Sequence, residues 1–125
     1  MTLLFPKVPY RKLSLAKKRQ LQNSRVVFSR LVKKADGYAC INKECPNKGR
    51  LSRLEAHHWI KRSHGGSDHT SNGASLCHDC HEKAENGTKT MTALEFQIKL
   101  IEQHKDSPLF RWGGVLERLK KRLPE

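Results

Sequence analysis

Two cysteine pairs constrain the fold of this chain more than any other feature. Cys40 and Cys45 are separated by four residues, and Cys77 and Cys80 by two. The second pair lies in the first turn of a predicted helix, so both of its sulfurs can point at one ion while the first pair completes the ligand set. A zinc ion held by four thiolates has no open position, so the predicted site is structural.

The location predicted for the chain favours metal binding over disulfides. Met1 to Tyr10 lacks the apolar core of a signal peptide, and no apolar run is long enough to cross a membrane. We therefore predict a cytoplasmic protein, whose reducing surroundings keep cysteines as thiols. Zinc also suits a chain of 125 residues that is 36% hydrophobic, because a small core usually needs a further source of stability.

The charge of the chain predicts a polyanionic partner. Its 25 Lys and Arg residues against 12 Asp and Glu residues give a formal net charge of +13. An excess of this size is typical of proteins that bind nucleic acid. A surface that is merely well solvated usually mixes both signs and carries a smaller net charge.

A basic helix is predicted near the start, after an extended arm that contains two prolines. Ser14 can cap a helix from about Leu15 to Ala35, and Gly37 can end it in the left-handed conformation. The predicted buried stripe of this helix consists of Leu21, Phe28, Leu31 and Ala35. Its basic residues lie mostly off that stripe and either contact phosphates or are only solvated.

The middle of the chain has the order strand, loop, strand, helix. Leu51 to Ile60 alternates loosely and predicts a strand, and Ala74 to Leu76 predicts a second. Lys61 to Asn72 is rich in Gly, Ser, Asp and Asn, which predicts a loop long enough to be functional. The helix Cys77 to Asn86 follows and ends at Gly87. The predicted arrangement is therefore a ββα unit.

Two more helices are predicted after this unit. Thr92 and Glu95 can form a capping box for a helix that ends before Pro108. Gly113-Gly114 is predicted to break the chain before a last basic helix, Val115 to Leu123. The aromatic residues before that break are predicted core anchors, namely Phe110 and Trp112.

The histidines predict a second metal site, one with open positions. His57 and His58 are adjacent at the end of the first strand, and His81 follows the last cysteine on the helix. Because adjacent strand residues point to opposite faces, both can serve one site only if the strand ends or bends there. One of them and His81 could hold a Mg²⁺- or Zn²⁺-type ion, while the other takes a proton from an attacking water. The chemistry predicted is phosphodiester hydrolysis.

The order, spacing and types of these residues resemble the HNH nucleases. The matching runs are Leu54 to Ile60, Gly65 to Asp68, Ser71-Asn72 and Leu76 to His81, within a resemblance that covers about residues 40–86. The resemblance is to the subtype braced by four cysteines. It implies a small α+β fold, in which a ββα-metal (HNH) core with a four-cysteine zinc site is flanked by N- and C-terminal helices. We expect a single domain with a basic arm and helix (residues 1–36), the nuclease core (37–90) and packed helices (91–125).

The resemblance also implies a role for each matching residue. His58 corresponds to the general base, and Asn72 to the residue that holds the loop and orients the base by hydrogen bonding. His57 and His81 correspond to ligands of a single catalytic ion, Mg²⁺, Mn²⁺ or Ni²⁺. The zinc set corresponds to Cys40, Cys45, Cys77 and Cys80. Cleavage is expected to leave 5′-phosphate and 3′-hydroxyl ends.

Two positions depart from the family pattern. Glu85 stands where many members have a histidine, one turn after His81, so it could ligate the ion, bind it through water or point outward. A carboxylate there would favour Mg²⁺ or Mn²⁺. Gly73 stands where a leucine is usual, which loosens the packing expected at the second strand.

We interpret the chain as a metal-dependent DNA endonuclease or nickase. Two alternatives remain open, a non-catalytic zinc-ribbon DNA-binding protein and a nuclease that resolves branched DNA junctions. Small proteins of this appearance are frequent in bacteriophages, which makes the host cytoplasm the expected location and a phage packaging or recombination protein a candidate partner. The predicted phosphate contacts are Arg53, Lys61, Arg62, Arg25, Arg30 and Lys33. The histidines predicted to be only exposed or locally hydrogen-bonded are His64, His69, His78 and His104, and Trp59 is predicted to pack in the core.

Overall fold

The structure is a computed structural model that describes residues 10–45, 54–108 and 110–124. Most of the predicted arm, the later residues of the first cysteine knuckle, the start of the first predicted strand and Arg53 lie outside the described residues. The helices and strands are α1 (Leu15–Ala35), β1 (Leu54–His58), β2 (Gly73–Cys77), α2 (His78–Asn86), α3 (Ala93–Glu102) and α4 (Gly113–Lys120), and 3₁₀ turns lie at Tyr10–Lys12, Arg62–His64 and Thr70–Asn72.

The predicted caps of the first and third helices are confirmed. The Ser14 hydroxyl accepts a hydrogen bond from the Lys17 backbone N–H at 3.2 Å, and Gly37 takes a φ of 66° after the last turn of α1. At α3, the Glu95 backbone N–H donates to the Thr92 hydroxyl at 3.1 Å, and the Thr92 N–H donates to the Glu95 carboxylate at 2.9 Å. These local hydrogen bonds set where both helices begin.

The two strands form an antiparallel sheet that leads directly into α2. Leu54 pairs with Cys77 and His58 pairs with Gly73, which confirms the predicted ββα unit. All five residues of β2 are buried, because α1 packs on one face of the sheet and the main core on the other. The end of β1 lies beside the loop and α2, which carry the other predicted site residues.

Helix α1 packs on the sheet through a face that only partly matches the predicted stripe. Phe28 and Val32 are 2% and 0% exposed, whereas Leu31 is 47% exposed and Ala35 is also exposed. The side chain of Leu21 lies outside the described residues. The prediction is confirmed for Phe28 and was wrong for Leu31 and Ala35, because apolar side chains occur on several faces of this helix and periodicity allowed more than one buried face. Contact with the sheet selects one of them.

Gly73 lets α1 approach the sheet closely. A Cβ atom at this position would lie 2.5 Å from Val32 Cγ2 and 2.6 Å from Phe28 Cζ, closer than side chains can approach. The space that a leucine side chain would need is occupied by the helix. The packing of α1 therefore leaves room for glycine but not for leucine at this position.

We expect Gly73→Ala to lower the free energy of unfolding by roughly 1–3 kcal/mol, because the added methyl group forces Phe28 or the helix to move. Chemical denaturation of the zinc-loaded protein measures this difference. Gly114→Ala is the matched control, since a Cβ atom there meets nothing within 4 Å and alanine suits a helix. Equal stability of Gly73→Ala and wild type would contradict the close approach.

The main core lies on the face of the sheet opposite α1. Trp59 and Trp112 are each 3% exposed and meet edge to face at 5.6 Å, as expected of core residues. The Trp112 indole N–H also donates to the Gly73 carbonyl at 2.8 Å. The same cluster includes Leu76, Leu100, Ile101, Leu116 and Leu119, and Phe110 is partly buried against it. None of the described helices is long and apolar enough to span a membrane.

Helix α4 begins at Gly113, two residues before the predicted start at Val115. The predicted break at the glycine pair was wrong. The first N–H groups of a helix have no intrahelical partner, so glycine there does not interrupt the hydrogen-bond ladder. The helix ends at Lys120, and a turn follows it.

Candidate active site and metal centres

The four cysteines converge as predicted. Their sulfur atoms lie within 4.8 Å of one another, and Cys45 Sγ lies 3.6 Å from Cys77 Sγ. Cys77 caps α2, and the Cys80 backbone N–H points at its sulfur from 3.5 Å. The Asn42 amide donates to Cys80 Sγ at 3.4 Å. This set of four sulfurs with N–H donors behind them fits a structural zinc ion.

Hydrogen bonds between neighbouring thiols of this cluster shift their pKa values in opposite directions. A hydrogen bond from the Cys80 thiol lowers the pKa of Cys40 to about 5, and the same contact raises the pKa of Cys80. Like charges so close together resist further ionisation. A cation is therefore required before all four sulfurs can be thiolates at once.

A second group of ligand atoms forms where β1 meets α2. His57 Nδ1 lies 3.3 Å and His81 Nε2 lies 3.4 Å from the same oxygen, Oε1 of Glu85. His81 and Glu85 are one turn apart on α2, so they share a helix face. The structure thus brings together the two predicted ligands, His57 and His81, and Glu85, for which the sequence leaves three roles open. The Glu85 carboxylate faces both histidines.

Hydrogen bonds on the far side of each histidine ring indicate which of its two nitrogens carries the proton. His57 Nε2 lies 3.2 Å from Gln97 Oε1, and the Gln97 amide nitrogen donates to the Ala84 carbonyl at 2.9 Å. Gln97 therefore presents its oxygen, so His57 carries its proton on Nε2. His81 Nδ1 lies 2.5 Å from Glu55 Oε1, which places the proton of that ring on Nδ1. The two nitrogens that face Glu85 therefore carry lone pairs.

Three electron-pair donors thus point at one another where the buried His57 meets the partly exposed side chains of His81 and Glu85. His57 is 2% exposed, and its Nδ1 has no hydrogen-bond partner among the described residues. Two ligands of an ion bound at about 2.1 Å are separated by roughly 3.0–3.4 Å in octahedral or tetrahedral geometry, close to the distances found here. The donor set fits a divalent cation.

Glu55 and Gln97 were missed as site residues by sequence reasoning. Both hold the outer nitrogen of a predicted ligand, the position at which metal sites commonly place a carboxylate or carbonyl group. Glu55 stands two residues before His57 on β1 and so shares its face of the strand, a signal that could have found it. Gln97 comes from α3, and no local pattern marks it.

His58 ends β1 and makes contacts of its own. Its Nε2 lies 2.9 Å from Asp68 Oδ1, and its ring stacks on Phe28 with centroids 3.9 Å apart and planes 12° apart. The strand ends here, as two adjacent site residues require. Burial lowers the pKa of His58 despite the opposing effect of the Asp68 carboxylate, which favours the neutral ring that can accept a proton.

Asn72 holds the loop, as predicted, but it is not the hydrogen-bond partner found for His58. Its side chain accepts from the Ile60 N–H and donates to the Ile60 carbonyl, both at 2.9 Å, and donates to the Ser67 carbonyl at 2.9 Å. Its backbone carbonyl accepts from the Trp59 N–H at 2.9 Å. Among the described residues, the hydrogen-bond partner of the His58 ring is the Asp68 carboxylate.

A cleft of about 490 Å³ is lined both by α1 and by these site residues. His58, His81 and Glu85 line it, and it is bordered by Arg25, Lys61 and Arg62. Of the other predicted phosphate contacts, Arg30 and Lys33 lie on α1 outside the described lining of the cleft.

The basic residues of the cleft differ in their exposure and in their ion pairs. Lys61 is 59% exposed, and its ammonium lies 3.3 Å from Glu85 Oε2. Arg62 is only 15% exposed and is ion-paired with Asp68, which favours a role within the protein over a phosphate contact. The neighbouring His57 ring and the Lys61 ammonium lower the pKa of Glu85 to about 2 against the effect of burial, so this carboxylate is ionised at neutral pH.

Three of the remaining histidines make local hydrogen bonds, as predicted. His104 Nε2 lies 2.6 Å from the Ile41 carbonyl, and His69 Nδ1 accepts from the Ser71 N–H at 3.1 Å. His78 Nδ1 lies 3.3 Å from Glu55 Oε2.

Comparison with known proteins identifies the ββα unit. Residues 40–87 match the family model described as HNH endonuclease. No curated protein and no solved structure matches the chain at a significant level. The matched segment contains the four cysteines, both strands and α2, whereas α1, α3 and α4 lie outside it. Residues 40–87 are therefore similar to the HNH endonuclease domain, and they contain a four-cysteine cluster that fits zinc.

Proposed function

We propose that this chain is a metal-dependent endonuclease or nickase that hydrolyses phosphodiester bonds in DNA. The observation that carries the proposal is the convergence of His57, His81 and Glu85 beside the neutral ring of His58, at a cleft bordered by basic residues. A zinc ribbon that only binds DNA requires none of these four side chains. The HNH domain supports a nuclease-family function.

DNA is the proposed substrate. The net charge of +13 attracts a polyanion, and the exposed residues Arg25 and Lys61 border the cleft where the site residues lie. Contacts from such residues to phosphates hold the backbone in place without selecting a sequence. We therefore assign the cleft to a single segment of the DNA backbone.

Two imidazoles and a carboxylate would hold the catalytic ion and leave positions for water and a phosphate oxygen. His57 Nδ1, His81 Nε2 and one oxygen of Glu85 are the proposed ligands. A bound divalent ion would stabilise negative charge on the phosphate and on the leaving oxygen. The carboxylate favours Mg²⁺ or Mn²⁺, while the imidazoles also suit Ni²⁺.

His58 is the proposed general base. Its Nε2 is engaged by Asp68, so its Nδ1 is the nitrogen available to take a proton from the attacking water. The water oxygen bonds to phosphorus, the bond between phosphorus and the 3′ oxygen breaks, and that oxygen takes a proton from solvent. The products are a 5′-phosphate and a 3′-hydroxyl.

Plasmid nicking tests the proposal. Zinc-loaded wild type is incubated with supercoiled DNA in chelator and then with Mg²⁺, Mn²⁺ or Ni²⁺, while zinc content is measured in each sample. We expect nicked or linear DNA only with added ion. Salt-dependent binding without cutting by any ion would favour the zinc-ribbon alternative, and cutting confined to branched DNA would favour the junction-resolving one.

Glu55→Gln should weaken Mn²⁺ binding roughly 10- to 100-fold, because His81 loses the carboxylate that accepts its Nδ1 proton. Electron paramagnetic resonance of free Mn²⁺ in zinc-loaded protein measures the affinity without requiring cleavage. Glu82→Gln removes the same charge from a side chain of α2 that is 64% exposed, and it should leave the affinity unchanged. Equal Mn²⁺ affinities for Glu55→Gln and wild type would contradict a role for Glu55 in binding of the catalytic ion.

A further inference from the structure

The ring of His58 is held from two directions by parts of the chain that lie far apart in sequence. Phe28 of α1 stacks on one face of the ring at 3.9 Å, and Asp68 of the loop lies 2.9 Å from its Nε2. Stacking restrains the plane of the ring, and the hydrogen bond restrains its rotation within that plane. A base that must meet an attacking water in one orientation gains from both restraints.

Asp68 is itself held by two further side chains. The Arg62 Nε–H donates to Asp68 Oδ1 at 2.8 Å, while a second N–H of Arg62 and the hydroxyl of Ser24 contact Oδ2. Arg62 also lies 3.3 Å from the Ser24 hydroxyl, so the three groups form one network. The carboxylate acts only as an acceptor, while the Ser24 hydroxyl accepts from Arg62 and donates to Asp68.

The ionisation of Asp68 agrees with this arrangement. Burial alone would raise its pKa, but the hydrogen bonds from Arg62, Ser24 and His58 outweigh burial and lower the pKa to about 2. The carboxylate is then charged at neutral pH and accepts the proton on His58 Nε2. The lone pair of the ring is consequently on Nδ1.

We propose that Asp68 is a positioning residue for His58, and that α1 completes the arrangement through Ser24 and Phe28. Its consequence for cleavage rests on the proposed nuclease function. The geometry has the logic of a histidine held in one tautomer by a buried carboxylate, as in serine hydrolases. Helix α1 lies outside the matched segment 40–87, so the HNH domain is completed here by a helix of its own chain.

Asp68→Ala tests the proposal with two readouts. The first is the nuclear magnetic resonance signal of the His58 Nε2–H proton, which a hydrogen bond protects from exchange and which His58→Ala identifies by its loss. The second is the single-turnover cleavage rate at saturating DNA. We expect the signal to disappear and the rate to fall roughly 100-fold, with DNA affinity and zinc content unchanged.

Asp106→Ala is the matched control, because it removes a carboxylate from an exposed turn after α3. It should change neither the signal nor the rate. The proposal is overturned if Asp68→Ala keeps the Nε2–H signal, if it loses the signal without slowing cleavage, or if the rate falls only in parallel with DNA affinity.

Failure of the nuclease function can be separated from failure of this proposal. In a wild type that does not cut, loss of the signal in Asp68→Ala still supports the contact, and its retention overturns it. Should Asp68→Ala fail to fold, Ser24→Ala takes its place. It removes one hydrogen bond to the carboxylate, and we expect a several-fold lower rate with faster exchange of the Nε2 proton. No change in either quantity would overturn the contribution of α1.

Discussion

His58→Ala should lose metal-dependent cleavage while keeping its fold, its zinc and its affinity for DNA. A positioned general base typically contributes about 10²- to 10⁴-fold to the rate, and the cleavage rate should fall within that range. The four cysteine ligands and the three proposed ligands of the catalytic ion are all other side chains. The loss should therefore fall on the rate at saturating DNA rather than on binding.

The measurement compares nicking by wild type and His58→Ala in chelator and with each of Mg²⁺, Mn²⁺ and Ni²⁺. Zinc content and thermal unfolding are recorded for both proteins. His64→Ala replaces an exposed histidine of the same loop region and should cut at the wild-type rate. Cleavage by His58→Ala at the wild-type rate would contradict the assignment of His58 as the general base. If neither wild type nor variant cuts but both bind DNA, the enzyme itself is rejected.

Cys80→Ser should release zinc and leave the chain unfolded at room temperature. Structural zinc sites bind with apparent free energies of about 10–16 kcal/mol near neutral pH, comparable with or above the total stability of a small domain. Cys80 is 0% exposed and lies in the first turn of α2, which also carries His81 and Glu85. Loss of the zinc should therefore abolish binding of the catalytic ion as well.

Mass spectrometric zinc content, circular dichroism and Mn²⁺ binding measure these three losses. Ser75→Ala is the control, since it changes a buried residue of β2 whose hydroxyl has no hydrogen-bond partner among the described residues. It should be neutral or slightly stabilising. A Cys80→Ser protein that folds cooperatively without zinc would contradict the structural role of the cluster.

Features that depend on neighbouring residues were predicted well from the sequence. The cap at Ser14, the capping box at Thr92 and the order of the ββα unit follow from a few adjacent side chains and their backbone. The cysteine cluster followed from ligand spacing. The buried face of α1 was predicted only in part, because packing against the sheet selects it, and the start of α4 was predicted wrongly, because glycine is tolerated in the first turn of a helix.

By itself, the sequence determined which side chains can bind metal and the order of the elements that carry them, since residue type and spacing are local properties. Only the tertiary structure decided which side chains hold each histidine ring in place. His57 depends on Gln97 of α3, and His58 depends on Phe28 of α1 and Asp68 of the loop. These partners lie 10 to 40 residues from the histidines they contact. Chain folding, which brings distant residues together to bury apolar surface, is what makes them neighbours.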